Sequence, residues 1–136
     1  MNIALIAHDG KKELMVQFCI AYCGILAGHQ LCATNTTGRL ITEATGLPVQ
    51  LYLHSNSGCQ QIGARIAYNE IDLVLFFCDP ADPRGFEEAN NIARLCDQYV
   101  VPFASNVATA EVLIQGLARG DLDWRDIVNP DRKSVV

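Results

Sequence analysis

What this chain has little of excludes several classes at once. Positive charge is scarce: ten Lys and Arg stand against fifteen Asp and Glu, a formal charge of −5, and the basic residues are scattered. A nucleic-acid backbone wants a basic stripe, so nucleic acid is not an expected partner. Long apolar runs are missing too. The longest, around Ile71–Cys78, falls far short of the roughly 20 residues a membrane helix needs, so no membrane partner is expected. No targeting leader is read at the start, and neither an internal repeat nor a low-complexity linker interrupts the chain.

What remains is one compact unit. A chain of 136 residues, half of them hydrophobic, lies in the single-domain range and holds enough apolar side chain for a real core. Residues 1–136 therefore read as one domain, with a tail that frays after about residue 129. Six cysteines, Cys19, Cys23, Cys32, Cys59, Cys78 and Cys96, could suggest disulfides. Cys32, Cys78 and Cys96, however, lie in or beside apolar periodic segments, where free Cys behaves as a small hydrophobe, so reduced thiols and a cytoplasmic location are expected. Cys19 and Cys23 are four apart with no Cys-x-x-Cys or His-rich companion, and no metal site is expected.

Strand-like runs at Asn2–Ala7, Gln30–Ala33, Val49–Leu53, Leu73–Cys78 and Val101–Ala104 alternate with helix-like stretches. The alternation predicts a single-domain α/β fold, a doubly wound, mostly parallel five-stranded sheet with helices on both faces. Between Lys11 and Leu26 the residues Leu14, Met15, Phe18, Cys19 and Tyr22 recur at helical spacing and mark one buried stripe. Further helices are expected over Gly38–Thr45, Gln60–Asn69, Phe86–Gln98 and Ala108–Ala118, with the last segment docking by Trp124 and Ile127.

Three of the apolar runs stop abruptly in small polar residues. Ile3–Ala7 runs into His8-Asp9-Gly10-Lys11-Lys12, Leu31–Ala33 into Thr34-Asn35-Thr36-Thr37-Gly38, and Val101–Ala104 into Ser105-Asn106-Val107-Ala108-Thr109. In a parallel sheet ligands bind beyond the carboxyl ends of the strands, so these endings form the rim of one anion site. The Thr34–Gly38 run opens a helix, where free N–H groups, the dipole and threonine hydroxyls favour an anion and Gly38 lets the backbone approach. Thr is also a common N-cap, and capping accounts for this run equally well. Lys12 adds a positive charge.

Taken in order, Ala7-His8-Asp9 with Lys12, Thr34-x-Thr36-Thr37-Gly38, Gly58-x-Gln60-Gln61-Ile62-Gly63, Phe77-x-Asp79-Pro80 and Asn106-Val107-Ala108-Thr109-Ala110 resemble the methylglyoxal synthase family over essentially the whole chain. The resemblance implies a cytoplasmic homohexamer that removes phosphate from dihydroxyacetone phosphate through an enediolate, without metal or organic cofactor. The wider superfamily also contains regulatory phosphate-binding domains. By motif, Lys12, Thr34, Thr36 and Thr37 would hold the phosphate, with Ser55 or Ser57 on a third loop. His8 and Asp9 would line the first strand end, Asp79 would lie near the substrate, and Arg94 would pair with Asp9 across a subunit contact.

Two departures stand out. The family loop reads Ser-Gly-Pro-x-Gly-Gly-Asp before Gln-Gln, and its Asp takes the carbon-bound proton; here the loop is His54-Ser55-Asn56-Ser57-Gly58-Cys59, with Cys59 where that Asp belongs. Where the family has Pro-His-Asp/Glu-Pro-Asp, this chain has Arg84-Gly85-Phe86-Glu87-Glu88, which puts Gly85 at the His position and Glu88 at the last Asp. Candidate proton carriers are then Cys59, if a helix N-terminus or Lys12 lowers its pKa, together with Asp79, Asp9, His8 and His54. A small packing residue is the plainer reading of Cys59. The expected activity is phosphate elimination from dihydroxyacetone phosphate, and the alternative is a non-catalytic phosphate or triose-phosphate module.

Overall fold

The computed structural model describes residues 1–52 and 56–129, and the side chains at 56 and 57 fall outside that description. Five strands, β1 (Asn2–Ala7), β2 (Gln30–Thr34), β3 (Gln50–Tyr52), β4 (Leu73–Phe77) and β5 (Phe103–Ala104), form one sheet in the order β3-β2-β1-β4-β5. Every neighbouring pair is parallel, where a mostly parallel sheet was expected.

β1 and β4 lie at the centre, and their sequences are apolar on both faces because both faces are covered. On one face Ile3, Leu5, Leu73, Leu75 and Phe77 pack with Met15, Phe18, Ile41 and Ile114. These partners come from α1 (Lys12–Ala21), α3 (Asn35–Thr45) and α6 (Val107–Arg119). On the other face Ala4, Ile6, Val74 and Phe76 meet Ile62, Ile66, Ile92 and Cys96 of α4 (Asn56–Ala67) and α5 (Pro83–Gln98). All six cysteines are free. No helix among the described residues is long and apolar enough to cross a membrane.

Several boundaries differ from expectation, each for a local reason. The helix read over residues 11–26 breaks at Tyr22 (φ −109°, ψ 22°), which separates α1 from the short α2 (Cys23–Leu26). The helix expected from Gly38 starts at Asn35, directly after β2, and the one expected from Phe86 starts at Pro83. There Asp82 accepts from the N–H groups of Arg84 and Gly85, with Pro83 in the first turn, so cap chemistry rather than hydrophobic spacing sets the start. β5 is two residues long because Val101 N–H bonds back to Cys96 and Pro102 has no N–H for the ladder.

The last helix, α7 (Trp124–Val128), corrects the sequence reading more directly. Trp124 and Ile127, expected to dock it, are 43% and 78% exposed. Its anchor is Arg125, at 1% exposure. Arg125 Nε lies 3.1 Å from Asp72 Oδ1, and its remaining nitrogens reach the Val100 and Ile71 carbonyls and Asn69 Oδ1. Asp72 Oδ2 also accepts from Asn2 N–H at 2.8 Å. Asn69 and Val100 both have left-handed backbones (φ 59° and 56°), and for a β-branched Val this costs about 1–3 kcal/mol that surrounding contacts must hold.

Removing one partner of a buried ion pair leaves an uncompensated charge, at a cost of about 3–5 kcal/mol. Arg125→Ala is therefore expected to lower the unfolding free energy by that amount in urea titrations, whereas Ile127→Ala at an exposed site changes it by no more than about 0.5 kcal/mol. A loss below about 1 kcal/mol for Arg125→Ala would show that α7 is not anchored through this pair.

Candidate active site

Between β1 and β4 the direction of strand winding reverses, and the loops that follow them part toward opposite faces of the sheet. Such a crevice is where α/β sheets bind ligands. A cavity of about 510 Å³ opens here, and its walls include His8, Asp9, Lys12, Thr34, Thr36, Cys59, Asp82, Arg84, Gly85 and Glu88. Two of the strand ends named from sequence, His8–Lys12 and Thr34–Gly38, meet here; the third, Ser105–Thr109, does not line the cavity, and its Asn106 caps α6 by accepting from Thr109 N–H at 3.0 Å.

One end of the cavity is built for an anion. Thr34 stands at the N-cap of α3, yet its side chain makes no capping hydrogen bond; its hydroxyl donates to Thr37 Oγ1 at 3.5 Å. By contrast α5 and α6 are capped by the side chains of Asp82 and Asn106. The first N–H groups of α3 therefore lack the side-chain acceptor that α5 and α6 have, which favours the anion reading of the Thr run over capping. Thr36 is exposed on the cavity wall, whereas Thr37 is fully buried and supports the wall from behind. Gly38 serves packing as well, since a Cβ there would run into the Leu51 side chain. Lys12 Nζ lies 2.8 Å from Asp9 Oδ1, and this hydrogen bond and charge hold the Asp9 carboxyl below its usual range.

The other end carries an imidazole and a carboxylate. His8 Nδ1 accepts from Asp79 N–H at 2.8 Å, so the proton of the neutral ring sits on Nε2. Nε2 is buried and has no hydrogen-bond partner among the described residues. The ring stands edge-on to Phe76, 5.1 Å between centroids, and covers Gly85 so closely that a Cβ at that position would overlap Nε2. The missing side chain at residue 85 is thus the space that the His8 ring fills. Asp79 does not line the cavity; Oδ1 accepts from Ala81 N–H at 3.0 Å, and Oδ2 lies 2.6 Å from where a Gly10 Cβ would stand.

Cys59 sits at the start of α4, buried, with Sγ 2.7 Å from Glu88 Oε1. Burial, then the Glu88 hydrogen bond and charge, push its thiol up, so it stays protonated at neutral pH. The thiolate considered from sequence is not favoured, because desolvation and the carboxylate both outweigh any help from the helix start. Sequence reading gave no role to Glu88 or Arg84, which both line the cavity. The signal lay in helical spacing: Gly85, Glu88 and Ile92 share the face of α5 that meets α4. His54 and Ser55 lie outside the described residues, as does the Ser57 side chain. Arg94 is exposed and forms no ion pair among the described residues, while Asp9 pairs with Lys12 inside the chain.

Comparison with known proteins shows the family. The family model described as MGS-like domain matches residues 15–105. The chain is 61% identical to a methylglyoxal synthase of Caldicellulosiruptor saccharolyticus over 132 residues, covering 96% of this chain and 94% of that protein. It is 54% identical to one of Geobacillus thermodenitrificans, covering 98% and 94%. The crystal structure of methylglyoxal synthase from Elizabethkingia anophelis superposes with a TM-score of 0.74 at 37% identity, covering 83% of this chain and 76% of that one.

The Lys12–Asp9 contact sets up a measurable competition for the ammonium. A charge-assisted hydrogen bond is worth about 1.5–3 kcal/mol, so Lys12→Ala is expected to weaken inorganic phosphate binding on the order of 10- to 100-fold by calorimetry. Asp9→Asn, which frees Lys12 and removes a like charge, should tighten it. Unchanged affinity in both variants would take Lys12 out of the anion site.

Proposed function

The chain belongs to the methylglyoxal synthase family, and from that membership we propose that it eliminates phosphate from dihydroxyacetone phosphate to give methylglyoxal. The observation that carries this reading is the joining of two ends in one cavity: an α3 N-terminus without a side-chain cap, with Lys12, and a His8 Nε2–H without a partner among the described residues, beside the Glu88 carboxylate.

Each step has a group to perform it. The phosphate binds against the α3 N–H groups, the hydroxyls of Thr34 and Thr36, and Lys12, with Thr37 and Gly38 shaping the turn and Ser55 and Ser57 expected on the third loop. His8 Nε2–H donates to the carbonyl oxygen of the substrate, where negative charge grows as the enediolate forms. Glu88 takes the proton from the hydroxymethyl carbon. His8 Nε2–H passes its proton to the carbonyl oxygen and takes the proton of the hydroxymethyl oxygen, whose electrons form the aldehyde and shift the double bond so that phosphate is expelled. Lys12 and the helix dipole stabilise the departing charge, Glu88 returns its proton to the phosphate, and the enol product tautomerises to methylglyoxal. Proton and charge balance within the substrate and these residues, and no metal or organic cofactor enters. Asp79 orients His8 through its N–H rather than acting as the base.

The same family membership favours a cytoplasmic homohexamer in which Arg94, exposed and without an ion pair among the described residues, meets Asp9 of another copy. A second reading, a phosphate or triose-phosphate module without turnover, is favoured by the protonated thiol of Cys59, which the resemblance puts where a family member would carry its base.

Purified protein given dihydroxyacetone phosphate is expected to release methylglyoxal and phosphate in equal amounts. Glu88→Gln should lower that rate by about 100- to 10,000-fold, the usual worth of a positioned general base, with phosphate affinity unchanged. Tight binding of dihydroxyacetone phosphate with no phosphate release would establish the non-catalytic reading instead, and a monomer in light scattering would retire the hexamer.

A further inference from the structure

Resting on the lyase reading, we infer that Cys59 is a positioning residue whose S–H holds Glu88 Oε1, leaving the second carboxylate oxygen to take the carbon-bound proton. The contact, 2.7 Å from Sγ to Oε1, joins α4 to α5 across the wall of the active-site cavity. Behind that wall lies a second cavity of about 440 Å³ in the groove between the two helices, and Cys59, Arg84 and Glu88 line both. A glutamate side chain has several rotamers of similar energy, and with space on either side no other hydrogen bond or ion pair among the described residues selects the one that faces the substrate. A hydrogen bond from a buried, immobile donor does select it.

A thiol suits this role. Cys59 is 4% exposed and keeps its proton, because burial and the neighbouring carboxylate both oppose ionisation. It therefore acts as a donor at the pH where Glu88 must be an acceptor. A carboxylate at position 59 would set two like charges in contact and force one to remain protonated. Cys59 and Glu88 thus work as a pair in which the acidic and donating roles are divided between two helices.

The test uses the full chain with Cys59→Ala, Cys59→Ser and Glu88→Gln. Cys59→Ala is expected to lower kcat for methylglyoxal formation on the order of 10- to 100-fold, as misplacement of a reacting group does, while KM and phosphate affinity hold within about twofold. Cys59→Ser, which keeps a donor, should recover most of that loss. Wild-type kcat in Cys59→Ala, or equal losses in the two variants, would overturn the inference. A second readout does not depend on turnover: Glu88→Gln should speed alkylation of Cys59 by iodoacetamide at pH 8, followed peptide by peptide, since the opposing charge is gone. Equal labelling rates would overturn the pairing. A native chain that makes no methylglyoxal but shows the accelerated labelling retires the lyase reading alone and supports the Cys59–Glu88 bond.

Discussion

The pairing of β1 with β4 is the constraint on which the rest depends. Their register runs from Ile3 opposite Leu73 to Ala7 opposite Phe77, so both strands end at the same level. Two further hydrogen bonds extend the pairing beyond the strands: His8 N–H to the Phe77 carbonyl at 3.1 Å, and Asp79 N–H to His8 Nδ1 at 2.8 Å. The second is addressed to a side chain, and it fixes which ring nitrogen faces away from the sheet. A backbone ladder thereby orients an imidazole, without a carboxylate partner that would add charge to the cavity.

The two edges of the sheet are used differently. At the amino ends of the strands every buried charge is matched: Arg125 spends its guanidinium on Asp72, Asn69 and two carbonyls, and Asp72 also receives Asn2 N–H. At the carboxyl ends, among the described residues, His8 Nε2 is left without a partner and the N-cap side chain of α3 makes no bond to the helix's first N–H groups. Unsatisfied buried donors cost about 1–3 kcal/mol each, so the molecule is stabilised at one edge and carries its unsatisfied groups at the other. A ligand that supplies a phosphate and a carbonyl oxygen satisfies both kinds of donor.

Gly85 and Cys59, the two positions read from sequence as departures, are each tied to a neighbouring side chain. Gly85 is the residue on which the His8 ring rests, and a larger side chain would push that ring away. Cys59 is the residue against which Glu88 is held. Both residues therefore bear on how neighbouring groups are aimed.

By itself the sequence determined the α/β class, the five strands and the convergence of the His8–Lys12 and Thr34–Gly38 segments, because apolar alternation and abrupt polar strand ends are local signals. It also carried the family motifs. Only the tertiary structure decided that Thr34 does not cap α3, that the tail is held by Arg125 rather than Trp124 or Ile127, and that Cys59 keeps its proton against Glu88. Each of these turns on contacts between residues 29 or more positions apart, or on whether a nearby hydroxyl finds another partner first. Periodicity reports which face of an element is buried; it does not report which polar atom waits on the other side, and burial next to that atom is what sets protonation and hydrogen bonding.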